Sequence, residues 1–504
     1  MNPLLFTDGY KTSHHQQYPE DTTLVYSNFT PRSNKYGPKD VDKVVVFGTQ
    51  MAMKNLHEVF KKEFFDKSKK EVCEEMKREL SMYLGYDYDV SHFEDLHDLG
   101  YLPICVKSLE EGTLCPMRVP LFTIYNTHPN FYWLTNYLET ILSQLLWKPI
   151  TSATISYQYR QILDYWASKT DKENMSFVDF QAHDFSMRGL DSIPATERSG
   201  LGHLTSFLGT DSLPTLHAAR KYYDETSFIA GSVPATEHAV MCAGTKEDEL
   251  ETYRRLLEIY PKGILSVVSD TWDLWNVITS ILPQLKEEIL SRDGKLVIRP
   301  DSGDPVDIIC GTSQRLYKTE SDFKNGNFYN KNEAKGVIEL LWDIFGGTVN
   351  EQGYKVLDSH IGAIYGDSIT LERAEKICKR LADKGFASTN IVFGIGSYTY
   401  QYNTRDTFGM AMKATYVEKA ELDGVTRGYP IFKDPVTDDG TKKSATGLLK
   451  VFWQDAGTPD AKIVLKDNCT WEEEEQGLLQ SIYVNGIFQN QTTLTNIRKK
   501  LKYG

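Results

Sequence analysis

The stretch SFVDFQAHDFSMRG, residues 176–189, decides how the middle of this chain folds. It begins as an apolar run typical of a buried strand and ends in a cluster of charged and aromatic side chains. Further runs repeat this pattern between residues 205 and 397, each closing on Asp, Gly, Ser or Arg: TSFLGTD, ILSVVSD, KLVIRPDSGD, IGAIYGD and NIVFGIGS. The recurrence predicts strands that all end in the same kind of polar turn.

Helical segments follow several of these runs. TLHAARKYYDE (215–225) follows Asp211, and TLERAEKICKRLADKG (370–385) follows Asp367. Strands that alternate with helices indicate parallel βα units, and the carboxyl ends of such strands meet at one edge, where chemistry gathers. We therefore predict an irregular TIM-like α/β barrel over residues 151–399.

The two ends of the chain have a different pattern. Residues 1–150 mix short β-type runs, TLVYSNF and KVVVFGTQ, with a charged helical stretch over 55–82, and residues 400–504 contain the β segments GLLKVFW and QSIYVNGIF. The C-terminal segment is too short and strand-rich to continue a barrel, so we expect it to pack with residues 1–150 as one discontinuous α+β domain. Apolar residues at helical spacing from Tyr132 to Trp147 predict a packed helix that ends before Pro149.

Composition narrows the class of protein. A chain of 504 residues with 40% hydrophobic and 25% charged residues is long enough for more than one core, and its net charge of -13 argues against general nucleic-acid or membrane-surface binding. Its 7 cysteines are odd in number and form no CxxC, which indicates neither a disulfide framework nor a zinc ribbon. The N-terminal sequence MNPLLFTDGYK is not typical of a signal peptide. We expect a cytoplasmic protein whose partners are small molecules.

The predicted strand ends carry an unusual set of charged side chains. A single acid there is often only a helix cap, but a group of acids and arginines at one edge predicts a site. Arginine suits phosphate oxygens, whereas carboxylates suit sugar hydroxyls, a magnesium ion or developing positive charge. A phosphorylated sugar satisfies both types. The residues concerned are Asp184, Arg188, Asp211, Asp270, Arg299, Asp301 and Asp367.

Other motifs are less specific. FGIGS (393–397) offers backbone amides for phosphate, although Gly after a strand is also a common turn, and Arg405 and Lys413 lie a little further on. The chain contains no GxxxxGK[ST], HExxH or EF-hand string, and TDDGTKKSATG (437–447) is interpreted as a solvated loop. His238 lies in GSVPATEH, where spacing alone favours a structural role over a catalytic one.

An ordered series of short motifs nevertheless resembles a known family. TDGYKTSHHQQYP, YWLTNYLETIL, HDFSMRG, GTD, SVPATEH, SVVSD, IRPDSG, FGIGS and FKDPVTDD together resemble the nicotinamide-using branch of the nicotinate phosphoribosyltransferase-like superfamily, over nearly the whole chain. The resemblance implies transfer of a phosphoribosyl group from phosphoribosyl diphosphate to nicotinamide, giving nicotinamide mononucleotide and pyrophosphate in NAD salvage. It also implies Mg2+ as cofactor, ATP as a facultative co-substrate and active sites shared across a homodimer. The nearest alternative is a nicotinate phosphoribosyltransferase.

The resemblance assigns the residues that hold the ring. Phe185 would stack on the pyridine ring opposite Tyr10 of the partner subunit, and Asp211 would accept a hydrogen bond from the carboxamide nitrogen. Arg188 and Arg299 match arginines near the ring amide and the phosphates. An ionised Asp211 would repel the carboxylate of nicotinate, so we predict a preference for nicotinamide.

The resemblance also assigns the ribose and metal contacts. Asp301 and Asp367, with Gly366, match ribose contacts, and Asp270 and Asp301 would lie near the reacting ribose and its magnesium. The matching His238 becomes phosphorylated by ATP in the family, which couples ATP hydrolysis to tighter substrate binding.

The remaining implied contacts are to phosphate. They are Gly396, Ser397, Arg405 and Lys413 for the 5′-phosphate, and Arg32 and Lys433, from the other subunit, for the diphosphate. Two positions depart from the family pattern: Ser397 replaces a glycine, and Ala411 stands where a serine contacts the 5′-phosphate.

Overall fold

The computed structural model describes residues 1–312, 331–366, 368–434, 437 and 444–503. The chain divides into two compact units, the first comprising Met1–Thr154, His217–Ser227 and Asn403–Gly504, and the second Ile155–Leu216 and Phe228–Tyr402. The first unit therefore joins both ends of the chain. It also includes residues 217–227, most of which belong to the helical segment TLHAARKYYDE of the middle region.

An antiparallel sheet organises the first unit. The N-terminal strand Thr22–Thr30 lies between Ala411–Ala420 and Phe122–Asn126, so that Phe29 faces both Met412 and Phe122 across its neighbours. The 7 strands follow the order Thr426–Pro430, Ala411–Ala420, Thr22–Thr30, Phe122–Asn126, Ile104–Ser108, Gln480–Val484, Ile487–Phe488. Two smaller antiparallel pairs are Lys43–Val45 with Leu114–Pro116 and Leu448–Gln454 with Lys462–Cys469.

Helices of this unit pack their apolar sides into one core. The charged stretch over 55–82 is interrupted, since a π-helical turn, Lys61–Phe65, separates Thr49–Phe60 from Lys69–Leu84. The other α-helices are His14–Gln17, Ser91–Leu99, Leu134–Tyr137, Trp471–Glu475, Leu494–Tyr503 and most of Pro214–Tyr223; the 3-10 turns are Pro3–Leu5, Gly9–Ser13, Pro129–Phe131 and Arg405–Phe408. Fully buried members of the core include Phe29, Phe64, Phe93, Ile124 and Leu146.

One helix contradicts the prediction made from proline. We expected it to end before Pro149, but the helix Glu139–Thr170 contains Pro149 in its interior. Proline removes one backbone hydrogen bond and crowds the preceding turn, but that loss is local. Buried Ile150, Ala153 and Leu163 hold the following turns in apolar surroundings, which offsets it. The boundary between the two units falls within this helix.

A parallel sheet organises the second unit. All of the apolar runs named in the sequence contribute a strand, in the order Gly209–Thr210, Ala182–Asp184, Ile391–Ile395, Ile361–Tyr365, Asp293–Arg299, Lys262–Val268. The predicted α/β class and parallel sheet are thus confirmed. The strand Ala182–Asp184 is shorter than the apolar run 176–185 because Lys172–Phe180 forms a 3-10 helix instead.

Among the described residues, the parallel sheet has fewer strands than a regular barrel and is extended by isolated bridges. Isolated bridges join Gly209 to Gly231 and Ala235 to Ser266, so one irregular segment, residues 231–235, pairs with the strands at both edges of the sheet. In the described part of the chain these bridges and 6 parallel strands take the place of a regular eight-stranded barrel. Physically, a sequence pattern shows where strands end but not how a sheet curls.

The sheet of the second unit is covered by helices. They are Ile193–His203, His238–Ala243, Glu249–Ile259, Leu274–Asn276, Val277–Ile281 (π), Leu282–Gln284, Lys286–Leu290, Pro305–Cys310, Lys331–Lys335, Val337–Phe345, Leu371–Asp383 and Ser397–Gln401, with 3-10 turns at Met187–Gly189 and Ser388–Asn390. A hairpin pairs Gly347–Val349 with Lys355–Leu357. Among the described residues, none of the helices has the length and apolar character needed to span a bilayer.

Candidate active site

The candidate site is built at the carboxyl edge of the parallel sheet. Asp184 lies in register with Thr210 on one side and Ile395 on the other. The backbone N–H of Phe185 donates to the Ile395 carbonyl at 2.9 Å, and that of Asp211 donates to the Asp184 carbonyl at 2.9 Å. Backbone pairing therefore continues one residue past each strand and fixes Phe185 and Asp211 side by side.

Phe185 presents an aromatic surface between two polar groups. The ring of His183 lies 4.7 Å from it, centroid to centroid, and the guanidinium of Arg299 lies 5.6 Å from its centroid. The side chain of Phe185 is only partly buried. This arrangement suits a flat ring that stacks on Phe185, with a cation nearby for a phosphate group of the substrate.

Asp211 is held as an anion beside this surface. His183 Nε2 lies 2.9 Å from its Oδ1, and the Ser232 hydroxyl donates to the same oxygen. Burial by itself would raise the pKa of Asp211, but these two hydrogen bonds and the charges of His183 and Arg299 lower it below the ordinary value. Both bonds use Oδ1, which leaves Oδ2 to accept a hydrogen bond from a ligand.

Asp184 has a structural role. It is fully buried, its Oδ1 accepts from the Ser186 N–H at 2.9 Å, and its Oδ2 accepts from the Thr210 hydroxyl at 3.2 Å. These bonds brace the turn that follows the strand. Arg188, in the 3-10 turn Met187–Gly189, is exposed.

A second acidic group forms where the strands ending at Val268 and Arg299 meet. Asp270 Oδ2 accepts from the Asp301 N–H at 2.9 Å and from the Ser302 hydroxyl at 2.5 Å. Asp270 Oδ1 is buried and has no hydrogen-bond partner among the described residues. A buried carboxylate oxygen without a donor is costly unless a ligand or cation binds it, so Asp270 is a candidate metal ligand.

The metal prediction is compatible with this arrangement. Within the described ranges, no three His, Cys, Asp or Glu side chains converge to hold a metal ion. Mg2+ typically takes one or two protein carboxylates together with substrate phosphates, so Asp270 and Asp301 fit that ion without a third protein ligand. Asp367, the remaining acid expected here, lies outside the described residues.

His238 lies next to the same acids. Its Nδ1 is 3.2 Å from the Thr271 hydroxyl, and its Nε2 is 3.8 Å from Asp301 Oδ2. The imidazole is 48% exposed, so it is open to a ligand while Thr271 orients it. This geometry is suited to a histidine that accepts a group from an incoming substrate.

Glycines allow the strand ends to approach one another. A Cβ at Gly366 would lie 2.6 Å from Asp301 Oδ1 and 3.2 Å from Arg299 Nε, so a larger residue there would push the site apart. A Cβ at Gly189 would lie 2.1 Å from the Ser397 hydroxyl oxygen. The turn after Arg188 therefore packs closely against Ser397, with Gly396 at the start of the short helix Ser397–Gln401.

The first unit contains a separate basic cavity of about 230 Å³. It is lined by Asn28, Thr30, Arg32, Arg118, Ala411, Lys413, Ser444, Ala445, Leu465 and Asp467. Burial is the main cause that lowers the pKa of Lys413; the charge of Glu139 opposes it, and the charges of Arg32, Lys433 and Arg405 each lower the pKa further. Cations crowded in this way indicate an anion-binding cavity.

Tyr10 is an exposed aromatic of the same unit. It belongs to the 3-10 turn Gly9–Ser13 and is 67% exposed. The neighbouring Lys11 is buried, and its ammonium bonds to Glu139 at 2.6 Å, which anchors the turn. Burial, with the charges of Asp8 and Glu139, raises the pKa of the Tyr10 hydroxyl.

The expected site residues thus fall into two sets. Those in the second unit are Phe185, Arg188, Asp211, His238, Asp270, Arg299, Asp301, Gly366, Gly396 and Ser397, and those in the first are Tyr10, Arg32, Arg405, Lys413 and Lys433. Within the first unit, Lys413 and Arg32 line one cavity.

Several polar residues of the site were not predicted from the sequence. They are His183, Ser232, Thr271 and Ser302 in the second unit and Arg118 in the first. Only His183 had a usable signal, because it lies two positions before Phe185 and alternate strand residues share a face.

Solved structures match this fold. A nicotinate-nucleotide pyrophosphorylase from Pyrococcus furiosus aligns with a TM-score of 0.56 at 14% identity, covering 99% of this chain and 94% of that chain. A human nicotinic acid phosphoribosyltransferase aligns with a TM-score of 0.54 at 14% identity, covering 98% and 92%. At such identities the likeness shows the fold alone.

Sequence comparisons go further. Residues 180–504 match the profile of the Nicotinate phosphoribosyltransferase (NAPRTase) family, and residues 2–106 match that of the Nicotinamide phosphoribosyltransferase, N-terminal domain. A nicotinamide phosphoribosyltransferase of Acinetobacter baylyi is 48% identical, covering 99% of this chain and 97% of the relative. Another, from Mycoplasma pneumoniae, is 36% identical, covering 89% and 95%. The resemblance read from the motifs is confirmed: the chain belongs to the nicotinate phosphoribosyltransferase family and, within it, groups with the nicotinamide phosphoribosyltransferases.

Proposed function

We propose that this chain transfers the phosphoribosyl group of phosphoribosyl diphosphate to nicotinamide, forming nicotinamide mononucleotide and pyrophosphate. The observation that carries the proposal is the anionic Asp211, fixed by His183 and Ser232 next to the partly buried ring of Phe185. The relatives from Acinetobacter baylyi and Mycoplasma pneumoniae, both named nicotinamide phosphoribosyltransferases, support the same reaction.

Ring selection follows from charge. Nicotinamide offers N–H groups to Asp211, whereas nicotinate would bring a second carboxylate against it. The like charges would lie in a partly desolvated pocket, which disfavours nicotinate. The alternative function, that of a nicotinate phosphoribosyltransferase, does not explain why an aspartate with a lowered pKa lies at this position.

In the reaction, the bond from ribose C1 to the diphosphate oxygen breaks and a bond from C1 to the pyridine nitrogen forms. The nitrogen lone pair attacks directly, so no general base removes a proton. Positive charge develops on the ribose, which Asp270 and Asp301 stabilise, while Arg299 and Arg188 attract the phosphates. Mg2+, when held by Asp270 and Asp301, would neutralise part of the charge that accumulates on pyrophosphate.

ATP use through His238 is a further part of the proposal. The half-exposed imidazole, oriented by Thr271, would receive a phosphoryl group from ATP: a bond from phosphorus to a ring nitrogen forms, and ADP leaves. Hydrolysis of this phosphohistidine by water would release phosphate and return the imidazole. The nearby Asp301 links this step to the ribose subsite.

Completion of the site by a second copy of the chain is also proposed. An exposed Tyr10 fits the role of stacking on the second face of the nicotinamide ring of a partner subunit, and Arg32 and Lys433 fit contacts to its diphosphate.

For the fold, we propose that residues 231–235, which bridge to both edges of the parallel sheet, close this sheet into an irregular barrel. For the location of the protein, we propose the cytoplasm, as expected from its cysteine usage.

The experiment is a product assay. Purified protein with phosphoribosyl diphosphate, Mg2+ and nicotinamide should yield nicotinamide mononucleotide and an equal amount of pyrophosphate, both quantified by chromatography. Absence of nucleotide under these conditions, with and without ATP, would refute the proposed reaction.

A further inference from the structure

The turn from Pro116 to Val119 places an arginine where glycine is favoured. The Val119 N–H donates to the Pro116 carbonyl at 3.2 Å, which closes a four-residue turn. Arg118, its third residue, has φ of 68°, in the left-handed region. A turn with positive φ at this position normally takes glycine or asparagine, because a larger side chain crowds its own backbone. Backbone strain of this kind is concentrated at functional positions.

Hydrogen bonds fix this turn beside Arg32. The Arg118 N–H donates to the Pro31 carbonyl at 2.6 Å, and the Met117 N–H donates to the Asp42 carbonyl at 3.0 Å. Arg32, the next residue after Pro31, is itself held by a bond of 2.8 Å from its Nε to the Gly409 carbonyl. The side chains of Arg118 and Arg32 therefore start from one rigid piece of backbone.

Both arginines line the basic cavity with Lys413. Among its lining side chains, Arg32, Arg118 and Lys413 are cationic and Asp467 is anionic, so the cavity is positive on balance. No described residue forms a hydrogen bond or ion pair with the guanidinium of Arg118. Cationic side chains that outnumber the anionic one in a cavity repel one another, and a bound anion relieves that repulsion.

We propose that Arg118 is a further substrate-binding residue, which donates to a phosphate group of phosphoribosyl diphosphate in this cavity. Ala411, in the same lining, offers no hydroxyl, and Arg118 supplies a charged donor in its place. The inference rests on the proposed function for the identity of the anion. The anion-binding role itself follows from the cavity and the turn.

The first test uses Arg118→Gly. Glycine adopts the left-handed conformation freely, so the variant should keep or raise the thermal midpoint of unfolding while it loses only the side chain. The KM for phosphoribosyl diphosphate should rise on the order of tenfold, as expected for one charge-assisted hydrogen bond, with the KM for nicotinamide unchanged. Arg118→Lys should restore part of the loss. Arg78→Gln, which removes an exposed charge from the helix Lys69–Leu84, is the matched control and should leave both KM values unchanged.

Direct binding separates this inference from the proposed reaction. The full chain and its Arg118→Gly variant are titrated calorimetrically with Mg2+ and inorganic pyrophosphate, and separately with ribose 5-phosphate. The variant should bind one of these probes more weakly than the wild type. The probe affected identifies the end of the substrate, diphosphate or 5′-phosphate, that Arg118 holds. Arg118→Asn is titrated in parallel, because asparagine also tolerates a left-handed backbone. The same change in both variants excludes misfolding of one variant as its cause. Unchanged dissociation constants for both probes, with an unchanged KM, would overturn the inference. Weakened binding in a protein that forms no nucleotide would retain Arg118 as an anion ligand and reject the proposed reaction instead.

Discussion

Asp211→Asn should abolish most of the discrimination between nicotinamide and nicotinate. Two unit charges about 4 Å apart at an effective dielectric constant of about 20 repel by about 4 kcal/mol. The Asp211 side chain is 40% exposed, so solvent screening reduces this repulsion; a remainder of about 2 to 3 kcal/mol corresponds to a preference for nicotinamide of roughly 30- to 150-fold. In the variant His183 and Ser232 still bond to the amide oxygen, but the repulsion is gone.

The assay compares kcat/KM for the two rings in wild type and variant. We expect the ratio to fall to within about threefold, and the efficiency with nicotinamide to fall about tenfold because a charged acceptor becomes a neutral one. Asp293→Asn is the matched control, since Asp293 is exposed at the amino end of the strand Asp293–Arg299, away from the carboxyl edge. An Asp211→Asn protein that keeps the wild-type ratio would refute the reasoning.

The pH dependence of the preference provides an internal check. The pKa of Asp211 in the folded protein is lowered, so the carboxylate is ionised throughout the range from pH 5 to 8. The preference for nicotinamide should therefore be constant over that range. The Asp211 carboxylate should become protonated, and lose its hydrogen bonds, only at pH values below the ordinary pKa of an aspartate.

Three further outcomes follow from other residues. His238→Ala should retain nucleotide synthesis but lose both stimulation by ATP and acid-labile phosphate on the protein, and unchanged ATP coupling in kinetic assays would contradict the assigned role. Tyr10→Ala should raise the KM for nicotinamide while leaving kcat largely intact; full activity of a monomer in sedimentation and kinetic measurements would contradict a site shared between subunits. Burial, with the charge of Asp273, raises the pKa of Glu249 to about 7. The free energy of unfolding should therefore fall by about 1 to 3 kcal/mol as pH rises from 5 to 7.5, because between its two pKa values Glu249 is ionised in the unfolded chain but still protonated in the folded protein. Glu249→Gln should lack that slope in denaturant titrations, and a slope equal to that of the wild type would contradict the assignment.

The carboxyl edge of the sheet could be predicted because its signal is local. Each apolar run ends at a polar turn, and parallel strands bring such turns together, so the placement of Asp211, Asp270, Arg299 and Asp301 at one edge follows from spacing and the βα pattern alone. Their individual roles came from the family resemblance.

Other features could not be predicted because they depend on long-range packing. Ser232 reaches Asp211 only because the segment 231–235 bridges the sheet edges. The helix through Pro149 continues because its later turns are buried. Arg118 lies beside Arg32 because its turn bonds to Pro31, some 87 positions earlier in the chain. None of these contacts leaves a periodic trace in the sequence.

A competition experiment tests the central claim that Asp211 makes this chain a nicotinamide enzyme. The protein is given equal concentrations of nicotinamide and nicotinate with limiting phosphoribosyl diphosphate and Mg2+, and the two mononucleotide products are separated and quantified by mass spectrometry. The account predicts that nicotinamide mononucleotide exceeds nicotinate mononucleotide by at least about tenfold, as expected for a difference of at least 1.4 kcal/mol between the two transition states. Equal amounts of the two products, or an excess of nicotinate mononucleotide, would contradict it.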